Sequence, residues 1–374
     1  MLGIKLKNAA LTRVGRHDAS LPTLVEEAAA AVIAPEAPIA AVYLSSFAPA
    51  ELCGIEDVAG TVSHLLSSRF GIEVPVQGPF RTGGEALYEA LQASERTDGD
   101  TLLIACEKMT HVPAGRAAGL LAPRVSAAVE QQHGATLPAM AALVTQSYMR
   151  GYGVPYQAFH HVAIKNHDHA ARNPRAHFRK RVNLETVATS PLVADPLRRH
   201  HCAPMSDGAA ACVIGRGDGP VRIGGWGRGL DTPLLHERSD LGRFPAAARA
   251  ARAAFDMAGR GPDAIDVVEI HDAFSPFELI NLEEMGFFSP GSAWRALEAG
   301  QLHVGGALAV NPSGGMKARG HPIGVCGISS VFEMLEQLTG RAGERQHPGA
   351  RRGMVQSAGG VSRDTYAFVM ERSQ

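Results

Sequence analysis

Charge of either sign is not in excess in this 374-residue chain: 36 Lys and Arg stand against 37 Asp and Glu, a formal net charge of -1. That balance offers no electrostatic hold on nucleic acid or an anionic membrane. No apolar run is long enough to span a bilayer, and the N-terminus lacks a secretory pattern, so a cytoplasmic protein is expected. Cysteine is scarce. Cys53, Cys106, Cys202, Cys212 and Cys326 form no CxxC pair and are odd in number. This argues for reduced thiols and against a disulfide framework or a zinc site. His160, His161, His167 and His169 match no standard ligand spacing, so no metal is expected. Apolar residues, in contrast, make up 45% of the chain, enough for a large core and more than one domain. The 41 glycines have no period and imply tight turns and close backbone approaches.

Strand and helix patterns alternate. "LVEEAAAAVIA" (Leu24–Ala34) reads as a helix, "PIAAVYLSSF" as a strand, and "VAGTVSHLLSSRFGI" as a helix capped at Gly71. "VPVQ", "GGEALYEALQAS" and "DTLLIACEKM" continue as strand, helix and buried strand. Such alternation predicts a parallel sheet covered on both faces. Residues 111–194 depart from it. They are rich in Ala, His, Arg and Tyr, and Asn166–Val182 reads as a basic surface. "SDGAAACVIG" then reads as a helix turn and strand, and a second α/β run follows from residue 219. The expected halves are 1–110 with 195–218, and 219–374, with 111–194 inserted between them. The second repeats the first in architecture but not residue by residue.

Two motifs carry chemistry. "NPSGGMKARGHPIGVCG" (Asn311–Gly327) sets His321 just before a helix. A helix N-terminus favours neutral imidazole, which can donate or accept a proton near neutral pH. Its glycines, among them Gly314, Gly315 and Gly320, would let backbone approach a ligand. A structural Gly-rich turn is the other reading. "EIHDAF" sets His271 and Asp272 just past a buried strand, at the sheet edge where ligands bind in open α/β folds. Asp272 there reads as a helix cap, while His271 reads equally as a site residue or a core histidine.

These residues resemble the thiolase superfamily. "NPSGGMKARGHPIG" resembles its C-terminal signature. "EIHDAF" resembles the form of its Asn-Glu-Ala-Phe motif found in sterol-carrier-protein-2-type and archaeal thiolases. "ACEKMT", "KNHDHAARNPRAHFRK" and "ADPLRRHHCAPMSDGAAA" resemble the same subgroup, in order along nearly the whole chain. The resemblance implies two similar βαβαβ halves in a five-layered α/β/α/β/α core, with a loop domain inserted over the active site. It implies a coenzyme A thioester as substrate, no permanently bound cofactor, at least a homodimer or a tetramer, and for some relatives a small OB-fold or zinc-ribbon partner. It places His321, and His271 at the family's Asn position, in an oxyanion hole that holds a thioester enolate.

The departures concern the nucleophile. Matching Gly83 and Gly84 in "VQGPFRTGGEALYEAL" to the family's Cys-Ala-Ser-Gly-Gly turn puts Phe80 at the cysteine. Matching "QSAGGVS" to its second Cys-x-Gly motif puts Gln356 at the other. A phenyl ring cannot be acylated, and an amide is no base of suitable pKa. Retro-aldol cleavage of a β-hydroxyacyl-CoA needs the oxyanion hole but no nucleophile; some relatives in steroid side-chain degradation are aldolases of this kind. Its base would be Asp272, Glu85 or Cys326. An acyltransferase with its nucleophile moved to Cys326, or less readily to Cys53, is an alternative, because a helix N-terminus would lower the Cys326 thiol pKa; Cys326 also reads, and reads more readily, as a small buried residue at the start of a packed helix. A silent subunit of a larger complex is another. Lys165, Arg172, Arg175, Arg179, Lys180 and Arg181 could meet the coenzyme's phosphates or form a solvated or subunit-facing surface.

Overall fold

The computed structural model describes residues 3–373, apart from 35–37, 95, 97, 114–115, 117–118, 121–128 and 233. The first half holds β1 (Lys5–Leu11), α1 (Leu21–Ala30), β2 (Ile39–Ser45), α2 (Pro49–Cys53), α3 (Val58–Phe70), β3 (Val76–Phe80), α4 (Gly83–Ser94) and β4 (Asp100–Glu107). Then come α5 (Leu137–Tyr152), α6 (Gln157–Ala171), α7 (Leu184–Ala188) and a hairpin of β5 (Leu192–Ala194) and β6 (Leu197–Arg198). The chain re-enters the sheet with β7 (Gly208–Gly215) and continues through β8 (Val221–Leu230), α8 (Pro245–Ala258), β9 (Val267–Glu269), α9 (Ser275–Glu284) and α10 (Ala293–Glu298). It closes with β10 (Ala309–Val310), α11 (Cys326–Leu338), β11 (Arg352–Gly359) and β12 (Asp364–Arg372).

Local chemistry sets many boundaries. The Ser20 hydroxyl accepts from Thr23 N–H and starts α1 three residues earlier than the apolar pattern alone predicts. Asp57 caps α3, and Gly71 ends it in the left-handed region at φ 66°. At α4 the Thr82 hydroxyl accepts from Glu85 N–H, and the Glu85 carboxylate accepts from Arg81 N–H. This employs Glu85 as a cap. Ser206 and Asp207 form no helical turn, since Asp207 instead enters a bridge with Gly15.

The duplication is topological. The first half orders its strands β3-β2-β4-β7-β1 and the second β10-β9-β11-β12-β8. In each, the first two pairings are parallel and the last two antiparallel. The halves join where β1 meets β8, through Lys5–Arg222 and Leu6–Val221. Period-two alternation in the strands then makes five layers. Leu102 and Ile104 face α1 and α3 on one outside. Leu103 and Cys212, with Val355 and Phe368 of the other half, enclose α4 and α11 in the middle. Met354, Ala367 and Val369 face α8 and α9 on the other outside. Among the described residues no helix is long and apolar enough to cross a membrane.

The two middle helices touch backbone to backbone at their N-termini. A Cβ on Gly83 would lie 2.8 Å from the Ile328 nitrogen, and one on Gly327 would strike the Gly84 backbone. A methyl group here cannot be absorbed by a rotamer change. Gly327→Ala should therefore cost at least about 1–3 kcal/mol in urea unfolding. Gly151→Ala, in a helix with open space around it, should be neutral or stabilising by up to about 1 kcal/mol. Equal midpoints for the two variants would contradict this packing.

Candidate active site

The loop from Asn311 to Val325 joins β10 to α11, and buried carboxyls hold it from three sides. Glu269 accepts from Ser313 N–H at 3.1 Å and from its hydroxyl at 2.7 Å, and pairs with Arg319 at 3.4 Å. Asp272 accepts from Met316 N–H at 2.6 Å and from the Asn166 amide at 2.7 Å. Glu107 accepts from Gly324 N–H at 3.0 Å and Phe47 N–H at 2.9 Å. Burial pushes Glu107 and Glu269 up to about 7, and burial with the nearby Glu278 also raises Asp272. Asn311, at φ 49°, ties the loop to β9's end by accepting from Ile270 N–H and donating to Glu278.

His271 and His321 meet at this loop. Their ring centroids are 5.3 Å apart and the rings are nearly perpendicular. The peptide of His271 is held on both sides: its N–H donates to Gln356 Oε1, and its carbonyl accepts from Asn281, which also receives the Gln356 amide. Gln356 is thus a buried strut. The His321 N–H lies 3.2 Å from both Ser206 Oγ and Pro204 O. Its Nδ1 lies 2.8 Å from Cys326 Sγ. Burial, then the charge of the buried Arg319, lowers the pKa of His321 to about 4. The same effects, with His321 itself between them in size, drive His271 well below the usual imidazole value. Both rings are neutral at pH 7.

His321 lines a cavity of about 180 Å³ with Met109, Leu137, Cys202, Phe274, Ile323 and neighbouring residues. The wall is mostly apolar. Asp207 positions Met109 by accepting from its N–H at 2.6 Å. His271 stands behind His321, with Nδ1 buried and without a hydrogen-bond partner among the described residues. A polarised carbonyl entering the cavity would meet a neutral imidazole, held by main-chain bonds, in surroundings of low dielectric.

Several expectations from the sequence are redirected. Phe80 does not line this cavity; its ring stacks on Tyr43 at 6.0 Å, at the end of the edge strand. Cys326 is 1% exposed and also stands off the cavity wall. Burial raises its thiol pKa, against the direction expected of a helix N-terminus, because desolvation outweighs the neighbouring positive charge. Cys53 is likewise pushed up to about 12 by burial. The thiol that does reach the cavity is Cys202, which burial pushes up to about 11. Asp272 does cap, but it caps the 316–317 backbone rather than the segment after it. Gly314, Gly315 and Gly320 all have positive φ and press on Ala170, Asp272, and Val14 with Ser206. They serve internal packing rather than an open ligand cradle. Lys165 is buried and paired with Glu278 at 3.1 Å, so it is no phosphate contact. Arg175 bonds to Leu11 O and lies over the Phe332 ring. Arg172 and Arg181 pair with Asp168. Arg179 and Lys180 are exposed. His160 and His201 contact each other, while His167 and His169 bond to carbonyl groups of Lys180 and Asn311. Among the described residues no group of His, Cys, Asp or Glu is arranged to hold a metal.

Residues 80–218 match the family model described as the thiolase N-terminal domain, and 227–372 match the thiolase C-terminal domain-like model. An acetyl-CoA acetyltransferase of Methanothermobacter thermautotrophicus is 37% identical over 83% of this chain and 84% of its own length. The benzoylsuccinyl-CoA thiolase subunit BbsB of Thauera aromatica is 29% identical over 78% of this chain and 77% of its own. Among solved structures, the Ltp2-ChsH2(DUF35) aldolase superposes with a TM-score of 0.82 at 21% identity, over 99% of this chain and 98% of that one. A human mitochondrial 3-ketoacyl-CoA thiolase superposes at 0.75 with 18% identity, over 100% and 99%.

The neutral state of His321 has a consequence for stability. Its folded pKa lies below the unfolded value near 6.5. Its contribution is therefore complete above pH 6.5 and is lost as pH falls from there toward 4, where the unfolded chain binds the proton first. The stability gap between the wild type and His321→Gln should shift against the wild type between pH 7.5 and 5, read from urea midpoints. A gap that is constant with pH would mean that His321 titrates normally.

Proposed function

The chain belongs to the thiolase family, and from that premise we propose that it acts on acyl-CoA thioesters through an enolate, cleaving or forming a C–C bond without an acyl-enzyme. One observation carries the reading: a neutral histidine pair is held at an apolar cavity, while the nucleophile's turn carries Phe80 with its ring stacked on Tyr43. In the cleavage direction a β-hydroxyacyl-CoA loses its hydroxyl proton to a neutral imidazole or through it to water. The Cα–Cβ electrons pass to the thioester as an enolate, a ketone or aldehyde leaves, and the enolate takes a proton at Cα. Donation from His321 to the thioester oxygen is strongest when charge has developed there, which is the condition for catalysis. Asp272 and Glu85 are engaged as caps and His321 is the donor, which leaves the His271 imidazole as the proton acceptor at this site.

Acyl transfer is the reading that the names of the closely matching acetyltransferases favour. It needs a thiolate, and burial raises both Cys202 and Cys326 away from that state. A role beside a second subunit draws support from the two-component aldolase that shares this fold. We extend the proposal to a small OB-fold or zinc-ribbon partner and to a homodimer, with exposed Arg179 and Lys180 available to the coenzyme's phosphates.

Exchange of acyl-CoA α-protons in D₂O, followed by NMR, tests the enolate directly. The wild type should exchange them, and His321→Ala should slow exchange by about 10²–10³, as loss of one oxyanion donor does. Release of a carbonyl product from β-hydroxyacyl-CoAs should fall in parallel. No exchange in the wild type, or exchange indifferent to His321, would refute the proposal.

A further inference from the structure

Cys326 is buried, stands off the cavity wall, and touches His321, the one histidine among the described residues that line it. The His321 Nδ1–Cys326 Sγ separation is 2.8 Å, while Sγ to Pro322 O is 3.2 Å. We propose that Cys326 is a positioning residue: its thiol donates to Nδ1 of His321 and so fixes the proton on Nε2, the nitrogen left to face substrate. This rests on the enolate reading for its catalytic consequence, though not for the tautomer itself.

The direction of the bond follows from the partners. A thiol has one proton and two acceptors within reach. Pro322 O already accepts from Val325 N–H at 2.9 Å. Nδ1 has no other hydrogen-bond partner among the described contacts, and it is the nearer of the two. A neutral imidazole nitrogen is also a far better acceptor than a sulfur atom, so S–H to N exceeds N–H to S. The ring is neutral at working pH, so it must carry its single proton on one nitrogen or the other. With Nδ1 accepting, that nitrogen is Nε2, which makes His321 a donor toward the cavity. The opposite tautomer would present a lone pair to the thioester oxygen and repel the enolate.

The rest of the ring's setting holds it in place for this contact. The His321 main chain is bonded to Ser206 and Pro204, Glu107 holds Gly324, and Gly327 packs into α4. Helix α11 therefore presents Sγ at a fixed distance. The same thiol that looks like a relocated nucleophile in the sequence is thereby a proton donor to the ring, with its sulfur withheld from substrate.

The test uses full-length protein labelled with ¹⁵N-histidine. Long-range ¹⁵N–¹H spectra distinguish the two tautomers, and the spectrum of His321→Gln assigns the ring. The wild type should show Nε2 protonated. Cys326→Ala should populate both tautomers and slow α-proton exchange by at least about 10-fold with KM for the thioester unchanged. Cys326→Ser, which keeps a one-proton donor, should restore both the tautomer and the rate. Melting temperatures of the two variants show whether the fold is intact. An Nδ1-protonated wild type, or an Ala variant with an unchanged tautomer and rate, would overturn the proposal. A wild type with the Nε2 tautomer but no exchange would instead sink the enolate reading and leave the thiol–imidazole bond standing.

Discussion

Three buried carboxyls hold the 311–325 loop, and the site depends on that restraint. Glu269, Asp272 and Glu107 each accept main-chain N–H bonds from it, at Ser313, Met316 and Gly324. A loop with this many glycines would otherwise be mobile, because glycine loses the most backbone entropy on ordering. Burying carboxyls is costly unless they are bonded. Here the bonds are many, and cations are buried with them: Arg319 beside Glu269, Lys165 beside Glu278, and Lys317 of the loop itself near Asp272. Arg319 links this scaffold to the chemistry, since its charge helps to keep both His271 and His321 neutral.

The duplicated fold brings these groups to one place. Strands β4 and β9 occupy different halves, and Glu107 and Glu269 are the last residues of each. Helices α4 and α11 are the corresponding middle-layer elements, and their N-termini pack together through Gly83, Gly84 and Gly327. One terminus is preceded by Phe80, the other by His321. The loop that carries His321 takes its restraints from both sides of the molecule, through Glu107 and Ser206 on one and Glu269 and Asp272 on the other.

Much of this was legible in the sequence. The alternation of "DTLLIACEKM" with "GGEALYEALQAS" announced the α/β layers, and the GHP loop and "EIHDAF" announced the two histidines that the structure sets edge to face. What was not legible depends on partners far along the chain. Lys165 and its neighbours read as a basic surface because composition cannot show that Glu278, 113 residues on, accepts the ammonium. Cys326 read either as an activated thiol or as a small buried residue, because its position at a helix start is visible in the sequence while the desolvation that decides between them is not. Nothing in the sequence sets Cys202 apart from the other scattered cysteines, yet it borders the cavity, since the turn after β6 carries it there. Nothing in the sequence marks Glu107 and Glu269, which end β4 and β9, as anchors of a distant loop; only the folded loop reveals the donors they bind.

The central claim is that chemistry at this site proceeds without acylating the protein. Intact and peptide mass spectrometry after incubation with acetyl-CoA and with a 3-ketoacyl-CoA addresses it most directly. The account predicts an unmodified chain, with Cys202 and Cys326 both free of acyl groups after quenching in acid. A stoichiometric acyl adduct on either cysteine would contradict it and make this protein a thiolase with a displaced nucleophile.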